Sequence, residues 1–134
     1  MTEQEKELLI KDLCARLPYE VIIHFNEGIG EDDQVLYGYR KNGKYTQFND
    51  GYFVDEFKPY FRPMKSMTSE ERKECEKLME VREARDTGGV DGAKWYVYHD
   101  TLASIDFLLS HHFDISGLIE RGLALEAPKG IYDI

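Results

Sequence analysis

The first pattern along the chain is helical. Leu9, Ile10, Leu13, Cys14 and Leu17 recur at intervals of three and four, so they share one face of a helix. Thr2 and Glu5 stand three apart, the spacing at which side chain and backbone cap each other at a helix start. The pattern predicts a helix from about Thr2 to Arg16, stopped by Pro18. Val21 to Phe25, VIIHF, is β-branched and apolar and reads as a well-buried strand. The acidic, glycine-containing stretch from Asn26 to Asp33 reads as a loop.

The pattern then alternates. VLYGYRK and KYTQFND flank Asn42-Gly43, a pair favoured in two-residue hairpin turns because both positions need positive φ. With those two residues as the loop, Lys41 faces Lys44, Tyr39 faces Thr46 and Tyr37 faces Phe48. Tyr37, Tyr39, Thr46 and Phe48 then share one face. Asp50-Gly51 signals a second turn, and Tyr52 to Phe57 reads as a third strand or an irregular arm. Pro59 and Pro63 are expected to prevent a regular continuation.

Thr68 and Glu71 repeat the capping spacing, and a helix is expected from Ser69 to Ala84 with a thin apolar stripe at Cys75, Leu78, Met79 and Val81. ARDTGGVDGA reads as a loop and Trp95 to His99 as a short strand or lead-in. Leu102, Ile105, Leu108, Leu109 and His112 predict a helix from Thr101 to His112. Asp114 then caps a short helix carrying Ile115, Leu118 and Ile119, with Gly122 as its stop and an irregular tail from Pro128.

These elements add up to one α+β domain over residues 1–134. It has an N-terminal helix, an antiparallel sheet of about three strands with the Asn-Gly hairpin, and C-terminal helices packed on that sheet. The length suits one core without staples, and apolar and charged fractions of 42% and 32% suit an ordered chain. No apolar run reaches the roughly 20 residues that span a bilayer, and the charged start has no secretory pattern, so the expected compartment is the cytoplasm and no membrane partner is expected. A net charge of -9 opposes general nucleic-acid binding. The local basic group of Arg40, Lys41 and Lys44 reads as a solvated hairpin tip.

Candidate chemistry is sparse. His111 and His112, with Asp114 two residues on, are candidate metal ligands together with His99. Adjacent helical residues point about 100° apart, however, and helical ligand pairs need a spacing of three or four. His112 therefore reads first as a core or capping histidine, and His99-Asp100 as a helix entry. Ser104 and Ser110 lack a glycine elbow, and Cys14 and Cys75 lie in no redox or zinc spacing and read as buried thiols. Asn26 to Asp33 does not follow the calcium-loop order, and Gly28 and Gly30 lack the third glycine of a dinucleotide turn. No catalytic residue, cofactor or metal is assigned.

Three stretches carry a resemblance: EKELLIKDLCARLPY (Glu5 to Tyr19), KPYFRPMKSMTSEE (Lys58 to Glu71) and IDFLLSHHFDISGLIERGLALEAPKGIY (Ile105 to Tyr132). Together they cover somewhat under half the chain. They resemble a group of short acidic proteins from gut Bacteroides genomes and their mobile or phage-like elements, which have no known activity. The resemblance implies a bacterial, cytoplasmic accessory protein and carries over no site residue.

Two sequence features favour protein–protein interaction with an unidentified partner: no catalytic constellation is present, and an aromatic-rich hairpin lies beside an acidic loop. The region from Tyr19 to Phe61 holds 11 of the 17 aromatic side chains and supplies core or an exposed aromatic surface. Tyr37, Tyr39 and Phe48 are the candidate partner-binding residues; the oligomeric state is left open. The alternatives are a metal-dependent hydrolase built on His99, His111, His112 and Asp114, and an acidic inhibitor or decoy of a nucleic-acid-binding protein. The last predicts carboxylates gathered on one face.

Overall fold

The computed structural model describes residues 1–43, 45–79, 81–84, 95–98 and 101–132, which form a mixed α and β protein with three helices and small sheets. In chain order the elements are α1 (Glu3–Ala15), β1 (Ile22–Phe25), β2 (Gln34–Val35), β3 (Tyr39–Asn42), β4 (Tyr45–Phe48), β5 (Phe57–Phe61), α2 (Ser69–Met79), β6 (Val81–Ala84), β7 (Trp95–Tyr98), α3 (Thr101–Ser110) and β8 (Leu125–Glu126). They gather into two compact units. One comprises Met1–Ser66 with Leu109–Ile134, the other Met67–Leu108.

The first helix forms as its pattern requires. The Thr2 hydroxyl accepts from the Glu5 amide at 3.1 Å while the Glu5 carboxylate accepts from the Thr2 amide at 2.9 Å, so two orphan donors of the first turn are satisfied. Leu9 and Leu13 are fully buried; Ile10, Cys14 and Leu17 pack at the edge of the same core. Pro18 lies in a short 3-10 turn, and Glu20, at φ 55, turns the chain into β1.

The main sheet has four strands, not about three, in the order β2-β1-β5-β8, and β5 pairs with β8 in parallel. A two-residue strand such as β8 is too short to leave a period in the sequence. The third strand is Phe57–Phe61 rather than the segment before it, and it contains Pro59. The Asn26 amide donates to the Glu56 carbonyl at 2.9 Å, so counting in twos along the β1–β5 ladder leaves Ile23 opposite Pro59 as a pair without hydrogen bonds. The Pro59 nitrogen therefore points away from β1, to the side where pairing with β8 begins only at Tyr60. Alternation does the rest. Phe57, Pro59 and Phe61 face the core with Val21, Ile23 and Phe25, against Leu9 and Leu13 of α1.

The predicted helix after Asp114 does not form. Its place is taken by turns, with Gly117 and Gly122 at positive φ. Asp114 caps these turns instead: its carboxylate accepts from the amides of Leu118 at 2.8 Å and Ile119 at 3.0 Å, which drives Leu118, Leu123 and Ala124 into the core. The tail from Pro128 is irregular, but it returns to the sheet. The Tyr132 hydroxyl accepts from the Ile22 amide at 2.9 Å and donates to the Tyr60 carbonyl at 2.8 Å, inserting one phenol where the β1–β5 ladder would close.

In the second unit the Thr68–Glu71 capping box is present at 3.1 and 2.9 Å, and Cys75 is buried. The helix stops at Met79 rather than Ala84, because Val81–Ala84 pairs with Trp95–Tyr98 as an antiparallel hairpin. A β-branched residue followed by a cross-strand partner outweighs the helical charge pattern. The loop expected between these strands, and His99 and Asp100, lie outside the described residues. No helix among the described residues is long and apolar enough to cross a membrane.

Candidate partner-binding surface

The β3–β4 ribbon is a separate two-stranded sheet, and its register differs from the expected one. Asn42 pairs with Tyr45, Lys41 with Thr46, Arg40 with Gln47 and Tyr39 with Phe48. The turn is thus displaced by one residue, with Gly43 at φ 60 as its first position rather than its second. The far end of the ribbon explains the slip. Phe48 is fully buried and exchanges backbone hydrogen bonds with Tyr52 at 2.7 and 2.9 Å across the turn at Asn49 to Gly51. Phe48 is buried against Phe57, with ring centroids 5.8 Å apart, and the next residue, Asn49, donates its amide to the Gly38 carbonyl at 2.8 Å, which holds Phe48 opposite Tyr39 against the turn preference. The shift also places Thr46, not a second lysine, opposite Lys41.

Phe48 is therefore a core residue, not part of the surface. Tyr37 and Tyr39 do remain outside, 60% and 51% exposed, and Tyr45 at 65% and Phe53 at 38% are exposed as well. The Tyr45 and Phe53 rings meet edge-on at 6.1 Å. Tyr45 and Phe53 were missed because Tyr45 lies on the ribbon face opposite the one singled out, and the turn after Asp50 hides any alternation at Phe53.

Asn49 holds the ribbon in place. Its side-chain carbonyl accepts from the Tyr37 amide at 3.0 Å, and its amide donates to the Val35 carbonyl at 3.1 Å and to Gln34 Oε1 at 3.2 Å. Asn49 itself is at φ 52, a left-handed conformation that asparagine tolerates. One side chain thus fastens the ribbon to the outer strand β2.

Two concavities flank the ribbon. A groove of about 690 Å³ runs between α1 and the ribbon, floored by Ile10, Tyr45, Phe53 and Val54 and rimmed by charges of both signs. A recess of about 390 Å³ on the strands carries Tyr39, Arg40, Gln47 and Asp50, with Gly38 and Gly51 adding no side chain.

Of the candidate metal ligands, His99 lies outside the described residues, and His111, His112 and Asp114 are each engaged by neighbours. α3 ends at Ser110, so His111 and His112 lie beyond it, and His112 adopts φ 64, the left-handed conformation common just after a helix. Its ring stacks on Tyr132 at 3.8 Å, and the Nδ1 atom is buried with no hydrogen-bond partner among the described residues. Burial, then Arg16, Arg62 and His111, push its pKa down to about 4. His111 stacks instead on Phe113, with centroids 6.5 Å apart. Asp114 is committed to the Leu118 and Ile119 amides. Among the described residues no three His, Cys, Asp or Glu side chains are placed to hold a metal. Burial raises both thiols above their usual range, which keeps Cys14 and Cys75 protonated.

Two polar features escaped the sequence pattern. Arg16, expected at the helix end, is fully buried: its guanidinium bonds Asp12 at 2.6 and 3.3 Å, donates to the Phe113 carbonyl at 2.7 Å and lies 3.8 Å above the Phe61 ring. The spacing of four between Asp12 and Arg16 was the available signal. His24 Nδ1 meets Asp33 Oδ1 at 2.7 Å on the exposed side of β1, tying down the acidic loop.

Compared with known proteins, the chain matches no family model, no curated protein and no solved structure.

Proposed function

We propose that this chain is a non-enzymatic accessory protein that acts by binding another protein through the β3–β4 ribbon. The observation that carries the reading is the exposure of Tyr39 and Tyr45 on, and Tyr37 just before, a ribbon whose base is anchored in the core. Tyrosine supplies large contact area with few torsions to freeze, which is why it is enriched where proteins bind each other. A rigid base matters too. Phe48 and Asn49 hold the ribbon in one orientation before a partner arrives, which lowers the entropic cost of docking. The resemblance to short acidic proteins of Bacteroides genomes and their mobile elements supports the same reading, with a bacterial cytoplasm as the proposed setting.

The test compares the protein with its Tyr37→Ser/Tyr39→Ser/Tyr45→Ser variant, both immobilised and exposed to native-host lysate. Proteins retained reproducibly by the first should be lost from the second, with the unfolding transition unchanged. An identical set of retained proteins on both would refute the ribbon as the binding surface.

A further inference from the structure

The ribbon's exposed tyrosines are accompanied by carboxylates. Asp50 acts on the Tyr37 phenol, and Glu31, Asp50 and Glu56 act on the partly buried Tyr52, each carboxylate disfavouring loss of the phenolic proton. Tyr37 is held above its usual range, first by Asp50 as an acceptor for its hydroxyl, then by slight desolvation and the negative charge itself. In Tyr52 burial leads and Glu31 follows. The ion pairs of Lys6 with Glu3, Arg16 with Asp12 and His24 with Asp33 leave Glu31, Asp50 and Glu56 aside among the described residues. Asp50 also lines the recess beside Tyr39.

Resting on the reading that the ribbon binds a protein, we infer that the segment it takes is basic. An arginine or lysine of the partner lies against the Tyr37 and Tyr39 rings and enters the recess with its charge toward Asp50. The aromatic faces attract a cation through their quadrupole, and the carboxylate supplies the charge-assisted hydrogen bond. The net charge of -9 steers such a segment toward the protein. One group in the recess opposes it. Arg40 lines the same recess, with its guanidinium 3.4 Å from Gln47 Oε1. That opposition gives the inference a signed test, because Arg40 and Asp50 must then act in opposite directions on the same partner.

The probe is a blocked peptide of alternating arginine and serine, titrated into the full chain at physiological salt and followed by NMR, beside its glutamate-serine counterpart. Expected are shifts at the Tyr37 and Tyr39 rings, weakening by about five- to tenfold in Asp50→Asn and tightening by about threefold in Arg40→Gln. Glu74→Gln/Glu76→Gln on exposed α2 positions changes net charge more than Asp50→Asn does and should leave the affinity unchanged. Equal weakening by the α2 pair would reduce the effect to general attraction and overturn the inference. So would binding of the glutamate peptide that Arg40→Gln weakens. Lysate capture separates the two readings: a partner kept by Asp50→Asn but lost by the tyrosine variant removes the basic segment and leaves the ribbon. Both charge variants are near-isosteric, and an unchanged unfolding midpoint confirms that each is folded.

Discussion

Around Phe61 the protein keeps charge inside; on the ribbon it keeps aromatic rings outside. Arg16 is buried above Phe61, paired with Asp12 and with the Phe113 carbonyl, and Arg62 lies 4.2 Å over the Phe113 ring. Tyr37, Tyr39 and Tyr45, by contrast, stand in solvent. Arg16 gives Nε and Nη2 to Asp12 and the Phe113 carbonyl and leaves Nη1 buried without a partner among the described residues, so this charge serves the fold. The exposed rings forgo burial that each could have gained in a core, and their phenols leave large faces open. The difference teaches where to look for function. Burial of an odd residue is explained once its partners are found, whereas exposure of several apolar rings on a fastened ribbon is explained by nothing inside the molecule.

The comparison breaks most readily at Arg16. Arg16→Ala leaves the Asp12 carboxylate buried without its cation, and unfolding in urea should show a loss of about 3–5 kcal/mol. The paired replacement Asp12→Leu/Arg16→Met should recover most of that loss, because apolar side chains of similar volume need no partner. If Arg16→Ala costs less than about 1 kcal/mol, the interior charge is not structural.

Asp114→Ala comes next. It removes the acceptor for two amides at a buried turn and should cost about 2 kcal/mol, read from the same urea transition. A variant as stable as the parent would mean that Leu118 holds the turn by packing alone.

His112 gives the buried, charge-bearing region a pH signature. Its folded pKa is depressed to about 4 from 6.5, so the native state favours the neutral ring. The associated stability is fully present above about pH 6.5 and is lost as pH falls toward 4, because the unfolded chain takes up the proton first. Allowing for the ring's partial exposure, the loss is about 1–2 kcal/mol. His112→Asn, which suits the left-handed backbone, should flatten the stability profile between pH 6.5 and 5. An unchanged slope would place the ring in solvent.

The ribbon should respond more weakly. Asn49→Gly keeps the backbone but deletes three side-chain hydrogen bonds, and should cost about 1 kcal/mol while speeding amide exchange in β3 and β4. Smallest of all, Tyr37→Ser and Tyr45→Ser should leave the unfolding midpoint where it was, since neither ring is buried. A substantial drop in midpoint would move these rings from surface to core and end the contrast.

Local patterns were legible wherever a side chain answers to its own neighbours in sequence. Thr2 with Glu5 and Thr68 with Glu71 cap their helices as their spacing requires. Leu9 and Leu13 are buried because a helix stacks them on one face. Tyr37 and Tyr39 could be named as surface candidates from alternation alone. Phe48 could not be separated from them, because whether a ring on a ribbon turns inward depends on what lies beneath it, here Phe57.

The sequence by itself determined α1, β1, the capped start of α2, the existence of a hairpin near Gly43 and a net charge that disfavours nucleic acid. Those follow from torsional preference, short-range periodicity and composition. Only the tertiary structure decided the hairpin's register, the strand that contains Pro59, the end of α2 at Met79 and the turns after Asp114. It also decided the burial of Arg16 and the return of Tyr132 between Ile22 and Tyr60, across separations of 110 and 72 residues. The reason is common to all of them. Each is a choice between local states of nearly equal free energy, and a distant partner in the core supplies the difference.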